Sequence, residues 1–94
     1  MAIRLTVQFQ VQPGKGEEFE ALAGRAAARV RAEDRGCEMY HLFRSLDDPH
    51  RFVLIEAWTT KEDLDAHGTS PGIQEMRKIA PLLAGRPLMH RFEA

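Results

Sequence analysis

The segment from Arg51 to Trp58 constrains the fold more than any other part of the chain, because its pattern predicts a strand with two apolar faces. Side chains alternate across a strand, so residues two apart lie on the same side. One side carries Phe52, Leu54, Glu56 and Trp58, and the other carries Val53, Ile55 and Ala57. A strand of this kind has to be covered on both sides, so it belongs in the interior of a layered structure.

The rest of the hydrophobic pattern predicts three more strands and two helical regions. Apolar residues alternate strictly from Ile3 to Val11, whereas from Glu17 to about Asp34 they recur at helical spacing. The further predicted elements are a strand at 38–45, a short helix at 60–67, a helix capped by Ser70 with Pro71 at its first position, and a strand at 88–93. The order β-α-β-β-α-β is that of the ferredoxin-like α+β fold, with both helical regions on one face of an antiparallel sheet. We interpret residues 1–94 as a single domain.

The helices of such a fold leave one face of the sheet uncovered. We expect the helices to pack on the apolar side of the first strand, and we expect the side that carries Glu56 and Trp58 to face away from them. Since that side would be a large exposed apolar patch, a second copy is expected to cover it, sheet against sheet, in a two-fold homodimer. The pattern leaves the choice of face open, and a register shift of one residue would exchange Tyr40 for His41 in a pocket.

The composition limits the kinds of molecule that the chain is expected to bind. The chain has 13 Lys and Arg against 14 Asp and Glu, without the basic excess that favours nucleic-acid binding. No apolar run reaches the roughly 20 residues that cross a bilayer, and the first residues lack the pattern of a signal peptide. We therefore expect a cytoplasmic protein that binds neither nucleic acid nor membrane.

Three residues are candidates for chemistry on a small molecule. The indole of Trp58 can stack on a flat substrate and donate one hydrogen bond, and the phenol of Tyr40 can bond a substrate oxygen. His67 is predicted at the C-terminal end of a short helix, a position that favours imidazolium and suits an acid or base. Each is equally compatible with a packing role. No two histidines stand at metal-ligand spacing, so no metal site is predicted.

Glu56 is a charged residue within an apolar strand, and a buried carboxylate needs a donor or a cation. Arg44 on the neighbouring strand, or Arg4 on the first strand, is the expected partner. The pair is then either a structural ion pair or a general base with a raised pKa, and arginines such as Arg44 and Arg51 can instead orient an anionic substrate.

The chain resembles the antibiotic biosynthesis monooxygenase family, in its quinol monooxygenase-like branch. The matching pieces are PGKGEEFE, then GCEMYHLFRSLDDPHRFVLIEAWTTKEDLDAH, then SPGIQEM, and they span nearly the whole chain. The resemblance implies a ferredoxin-like protomer, a dimeric α/β-barrel, and oxidation of a small quinol or anthrone by O2 with no metal or flavin cofactor. It assigns pocket positions to Tyr40, Trp58 and His67. To these we add Arg44 and Glu56 as candidate substrate contacts, and Thr6 and Gln8 as candidates for the mouth of the pocket.

Departures from the family limit the choice of activity. Haem-degrading relatives use an asparagine on the first strand and a histidine on the last helix, whereas this chain has no asparagine and no histidine between Ser70 and Leu83. The anthrone oxygenases also use a pocket asparagine, so that activity does not carry over automatically. The alternatives are an isomerase of a small carbonyl compound, which uses the same proton transfer without O2, and a barrel that only binds its ligand.

Overall fold

The computed structural model describes residues 2–93, which form a four-stranded sheet covered by helices on one face. The elements are β1 (Ile3–Gln10), α1 (Gly16–Glu33), β2 (Cys37–Arg44), β3 (Arg51–Trp58), α2 (Lys61–His67), α3 (Pro71–Met76), a 3-10 helix (Arg77–Leu82) and β4 (Leu88–Glu93). The strand order is β2-β3-β1-β4, and every neighbouring pair is antiparallel. This is the predicted ferredoxin-like topology.

Local sequence explains where the helices begin and end. Two side-chain caps start the short helices: the hydroxyl of Thr60 accepts a hydrogen bond from the backbone N–H of Asp63, and the hydroxyl of Ser70 accepts one from Ile73. The α3 region continues as a 3-10 helix that contains Pro81, which cannot donate the backbone hydrogen bond of an α-helix. None of the helices in residues 2–93 is both long and apolar enough to cross a membrane.

The helices cover the side of β3 that we expected to be open, so that expectation is wrong. Leu5, Val7 and Phe9 of β1 stand opposite Glu56, Leu54 and Phe52 of β3, and all of these side chains are buried within the monomer. Both faces of β3 are apolar, and the face with the larger side chains is the one that packs against α1. Phe19 of α1 fills this interface, with ring centroids 5.4 Å from Phe9 and 4.7 Å from Phe52.

The opposite side of the sheet, here called the open face, is only partly shielded. It carries Val53, Ile55 and Ala57 of β3 and, by register, His41 and Phe43 of β2 with Leu88 and Phe92 of β4. Phe43, Leu88 and Phe92 are 45%, 53% and 54% exposed. The register also places Tyr40 opposite Glu56 on the helix side and His41 opposite Ile55 on the open face, which removes the ambiguity left by the sequence.

Candidate functional site

A cleft of about 290 Å³ lies between the sheet and the α2–α3 region. Its floor follows one row across the sheet, because Glu56 of β3 stands beside Leu5 of β1 and Leu5 stands beside Arg91 of β4. Leu64 and His67 of α2 and Ile73 of α3 form the opposite wall. The volume is near the lower end of the range for small-molecule sites. We call this space the inner cleft.

Three of the predicted site residues form one cluster beside the inner cleft. The His67 ring lies 4.5 Å from the Trp58 ring and 5.2 Å from the Tyr40 ring, measured between centroids, and Tyr40 meets Trp58 edge-on at 6.2 Å. Tyr40 and Trp58 are fully buried, whereas His67 lines the cleft. The two aromatic rings pack against the imidazole and restrict its movement.

Glu56 combines a buried carboxylate with a single strong donor. Burial raises its pKa above the ordinary value, whereas the hydrogen bond from Trp58, a protonated His67 and the charge of Arg91 act in the opposite direction. The indole N–H of Trp58 donates to Glu56 Oε1 at 3.0 Å. The expected partners are wrong, because Arg44 pairs with Glu20 at 3.1 Å and Arg4 lies 3.6 Å from Glu38.

His67 is anchored on its other side by a contact that the sequence analysis missed. Its Nδ1 lies 2.6 Å from Oδ2 of Asp34, and both side chains are only 5% exposed. The hydroxyl of Ser70 donates to the same Asp34 oxygen at 2.9 Å. One signal was available: Asp34 follows the C-terminal end of α1, where the helix dipole disfavours a carboxylate, so a compensating donor was to be expected.

The phenol of Tyr40 is a buried donor without a partner among the described residues. Burial, helped by the nearby charge of Glu56, raises its pKa well above the ordinary value, so it stays protonated. An unpaired buried hydroxyl is costly, which makes it a ready donor for an oxygen atom that reaches it.

The other predicted contacts lie elsewhere. Thr6 and Gln8 are on the open face, so the sheet separates them from the inner cleft. Arg44 is on the helix side but at the far end of the strand, beside His50 and Phe52. Arg77 and Arg91, which the sequence analysis did not single out, line the inner cleft instead. Within residues 2–93 no three His, Cys, Asp or Glu side chains are grouped to hold a metal ion.

The arrangement can move protons at a small molecule held between the sheet and α2. Glu56 and His67 face the same space from opposite walls, and carboxylate and imidazole side chains are common general acids and bases. Arginines at the rim provide positive charge for a developing anion.

The chain is similar in sequence to known proteins. The profile of the family described as "Antibiotic biosynthesis monooxygenase" matches residues 2–79. The chain is 29% identical over 86 residues to a Bacillus subtilis (strain 168) protein named "Putative monooxygenase YcnE", and the match covers 92% of this chain and 90% of that protein.

Solved structures agree with this assignment. A "putative antibiotic biosynthesis monooxygenase" from Caulobacter crescentus CB15 has a TM-score of 0.92 at 29% identity, covering 99% of this chain and 89% of that chain. A protein of the same description from Bordetella bronchiseptica has a TM-score of 0.82 at 29% identity, covering 99% and 96%.

Proposed function

The chain belongs to the antibiotic biosynthesis monooxygenase family, and we propose that it oxidises a small quinol- or anthrone-like aromatic with O2 in the inner cleft. The substrate itself is the reductant, so the reaction proceeds without a metal or flavin. The single observation that carries the proposal is the pairing of Glu56, a buried carboxylate with a raised pKa, with His67 across the same cleft.

The proposed reaction balances as quinol plus O2 giving hydroxyquinone plus water. Loss of a hydroxyl proton leaves an electron-rich anion, which passes one electron to O2, and the resulting radical pair combines into a peroxide on a ring carbon. The peroxide takes up the first proton. Removal of the hydrogen on that carbon then breaks the O–O bond, so one oxygen atom stays as a carbonyl and the other leaves as water.

The protein supplies two proton-transfer groups to this sequence. Glu56 accepts the hydroxyl proton, because its raised pKa makes it a stronger base than an exposed carboxylate. It returns that proton to the peroxide. His67 takes the hydrogen from the ring carbon and delivers it to the departing oxygen.

Two further residues position the proton-transfer groups. The Trp58 indole donates to Glu56, so its N–H acts on the base and positions it. Tyr40 is fully buried against the His67 ring and does not line the inner cleft, so its proposed part is to hold the imidazole rather than to contact the substrate. This differs from the stacking role expected for Trp58, since that ring is fully buried behind Glu56 and His67.

Oxygen uptake tests the proposal. Reduced naphthoquinols and anthrones are supplied in chelated buffer, with protein-free controls for autoxidation, and both uptake and hydroxylated product are measured. We expect protein-dependent uptake that falls about 100-fold or more in Glu56→Gln and in His67→Ala, in the range of positioned acid-base groups. Glu38→Gln is the matched control, because Glu38 is exposed and contacts Arg4 and Thr59 outside the inner cleft.

The alternative functions give different results. An isomerase would convert a small carbonyl compound without consuming O2 and would lose that activity in the same variants. A binding module would show ligand-dependent quenching of Trp58, the one tryptophan of the chain, with no turnover. Either result with no oxygen uptake across the panel contradicts the proposed oxidation.

We also propose that two copies associate through the open face. Its half-exposed aromatic and aliphatic side chains, among them Phe43 and Phe92, lie on the edge strands β2 and β4, on either side of Val53 and Ile55 of β3. Packing two such sheets together would leave each inner cleft accessible, because the cleft lies on the opposite side.

A further inference from the structure

The imidazole of His67 lies between two clefts. It lines the inner cleft together with Glu56, and it also lines an outer cleft of about 250 Å³ together with Asp34 and Ser70. The ring nitrogen Nδ1 is engaged by Asp34. Since the two ring nitrogens point in different directions, the edge with Nε2 is the one left for the inner cleft.

We propose that Asp34 is a positioning residue that sets the tautomer of His67, so that Nδ1 carries the proton and Nε2 presents its lone pair to the substrate. A carboxylate only accepts hydrogen bonds, so an ionised Asp34 at 2.6 Å requires a proton on Nδ1. The inference rests on the proposed function for its catalytic meaning, because a lone pair at Nε2 is what a base in the inner cleft needs.

The surroundings of the pair make the arrangement specific. Ser70 donates to the same oxygen of Asp34, and its hydroxyl also caps α3, so the carboxylate is tied to a fixed backbone position. Trp58 and Tyr40 pack against the imidazole and restrict its movement. The orientation of His67 is therefore determined on three sides, and only Asp34 determines which nitrogen holds the proton.

The other carboxylates near the pair have partners of their own. Asp63, on the wall of the outer cleft, pairs with Arg35 at 3.0 Å, and Asp65 in the inner cleft pairs with Lys61 at 3.0 Å. Glu56 accepts from Trp58. Asp34 is accordingly the one carboxylate among these whose contacts are with His67 and Ser70.

Nitrogen-15 NMR of the imidazole rings tests this without any substrate. The His67 signals are assigned by their loss in His67→Gln, and the tautomer is read from the ring couplings at a pH where the imidazole is neutral. We expect the Nδ1–H form in the unmodified protein, and a mixture in which Nε2–H increases in Asp34→Ala. Asp63→Ala is the matched control, because it removes a carboxylate of the same cleft that does not contact His67, and it should leave the tautomer unchanged.

Activity provides a second readout. In Asp34→Ala we expect kcat to fall about 100-fold with KM changed less than about threefold, and in Asp63→Ala neither should change by more than about twofold. An Nε2–H tautomer in the unmodified protein, or an unchanged Nδ1–H tautomer in Asp34→Ala, overturns the inference. If the tautomer behaves as expected but no oxygen uptake is found, the proposed function fails while the structural role of Asp34 stands.

Discussion

At the scale of single residues, the base strength of Glu56 depends on opposing influences. Burial raises its pKa, and the hydrogen bond from Trp58 lowers it. The form of Glu56 that accepts a proton is the carboxylate, so activity should be lost as the pH falls through the raised pKa. Any change that removes the Trp58 donor leaves burial less opposed and raises the pKa further.

We therefore predict that Trp58→Phe moves the acid limb of the pH–rate profile to higher pH. A hydrogen bond to a charged group contributes about 1.5–3 kcal/mol, so the acid limb should move up by about 1–2 pH units, and the rate should recover as the pH is raised. The measurement is kcat/KM against pH for oxygen uptake.

Phe19→Leu is the control for loss of aromatic packing. Phe19 is also fully buried, but it packs against Phe9 and Phe52 and lies away from Glu56. It should lower the melting temperature without shifting the acid limb. An acid limb that stays in place in Trp58→Phe would show that the indole does not tune Glu56.

The sequence indicates part of the candidate site. Tyr40, Trp58 and His67 were chosen from side-chain chemistry and family resemblance, and the structure brings them together with Glu56. The contact of Asp34 with His67 joins two segments 33 residues apart, so no local pattern contains it. The arginines expected to pair with Glu56 do not do so, because residues on neighbouring strands can belong to one sheet without their side chains touching.

At the scale of elements, the link between α1 and β2 positions both Asp34 and Cys37. Gly36 has a φ of 77°, a conformation that favours glycine, and a Cβ at this position would overlap the carboxylate of Asp63 in α2. The close approach lets α2 lie against the start of β2, where the backbone N–H of Thr59 donates to the carbonyl of Gly36 at 2.9 Å.

We predict that Gly36→Ala lowers the free energy of unfolding by roughly 1–3 kcal/mol from backbone strain, with a further loss from the collision with Asp63. Gly14→Ala separates the two causes, because Gly14 has a similar φ of 81° with nothing within 4 Å of its Cβ. Urea unfolding of both variants measures the difference. The excess should shrink when Gly36→Ala is combined with Asp63→Ala, and equal losses in Gly14→Ala and Gly36→Ala would contradict the role of the close approach.

The element pattern was more predictable than the way the elements pack. The strands at 51–58 and 88–93 have the predicted bounds. The prediction of which face of β3 packs against the helices is wrong. Both faces are apolar, and the sequence pattern does not show which of them packs better against another element. That choice depends on contacts between α1 and the sheet, and these are tertiary.

At the scale of the whole molecule, the two faces of the sheet have different roles. The helix side holds the core and the inner cleft, whereas the open face presents apolar side chains that the helices do not reach. Burying apolar surface contributes about 25 cal/mol per Å², so a second copy on the open face would be stabilised by the surface that the monomer leaves exposed.

We predict that the protein elutes at twice its chain mass of 10.7 kDa in size-exclusion chromatography with light scattering, and that Ile55→Lys converts it to the monomer. Ile55 lies at the centre of the open face, opposite Thr6 on one side and His41 on the other, so a charge there would be buried without a partner in the dimer.

Leu46→Lys is the matched control, because Leu46 is fully exposed and lies between β2 and β3 outside the strands. The control should remain dimeric. A monomeric unmodified protein at micromolar concentration would contradict the dimer, and an Ile55→Lys variant that stays dimeric would place the interface elsewhere on the molecule.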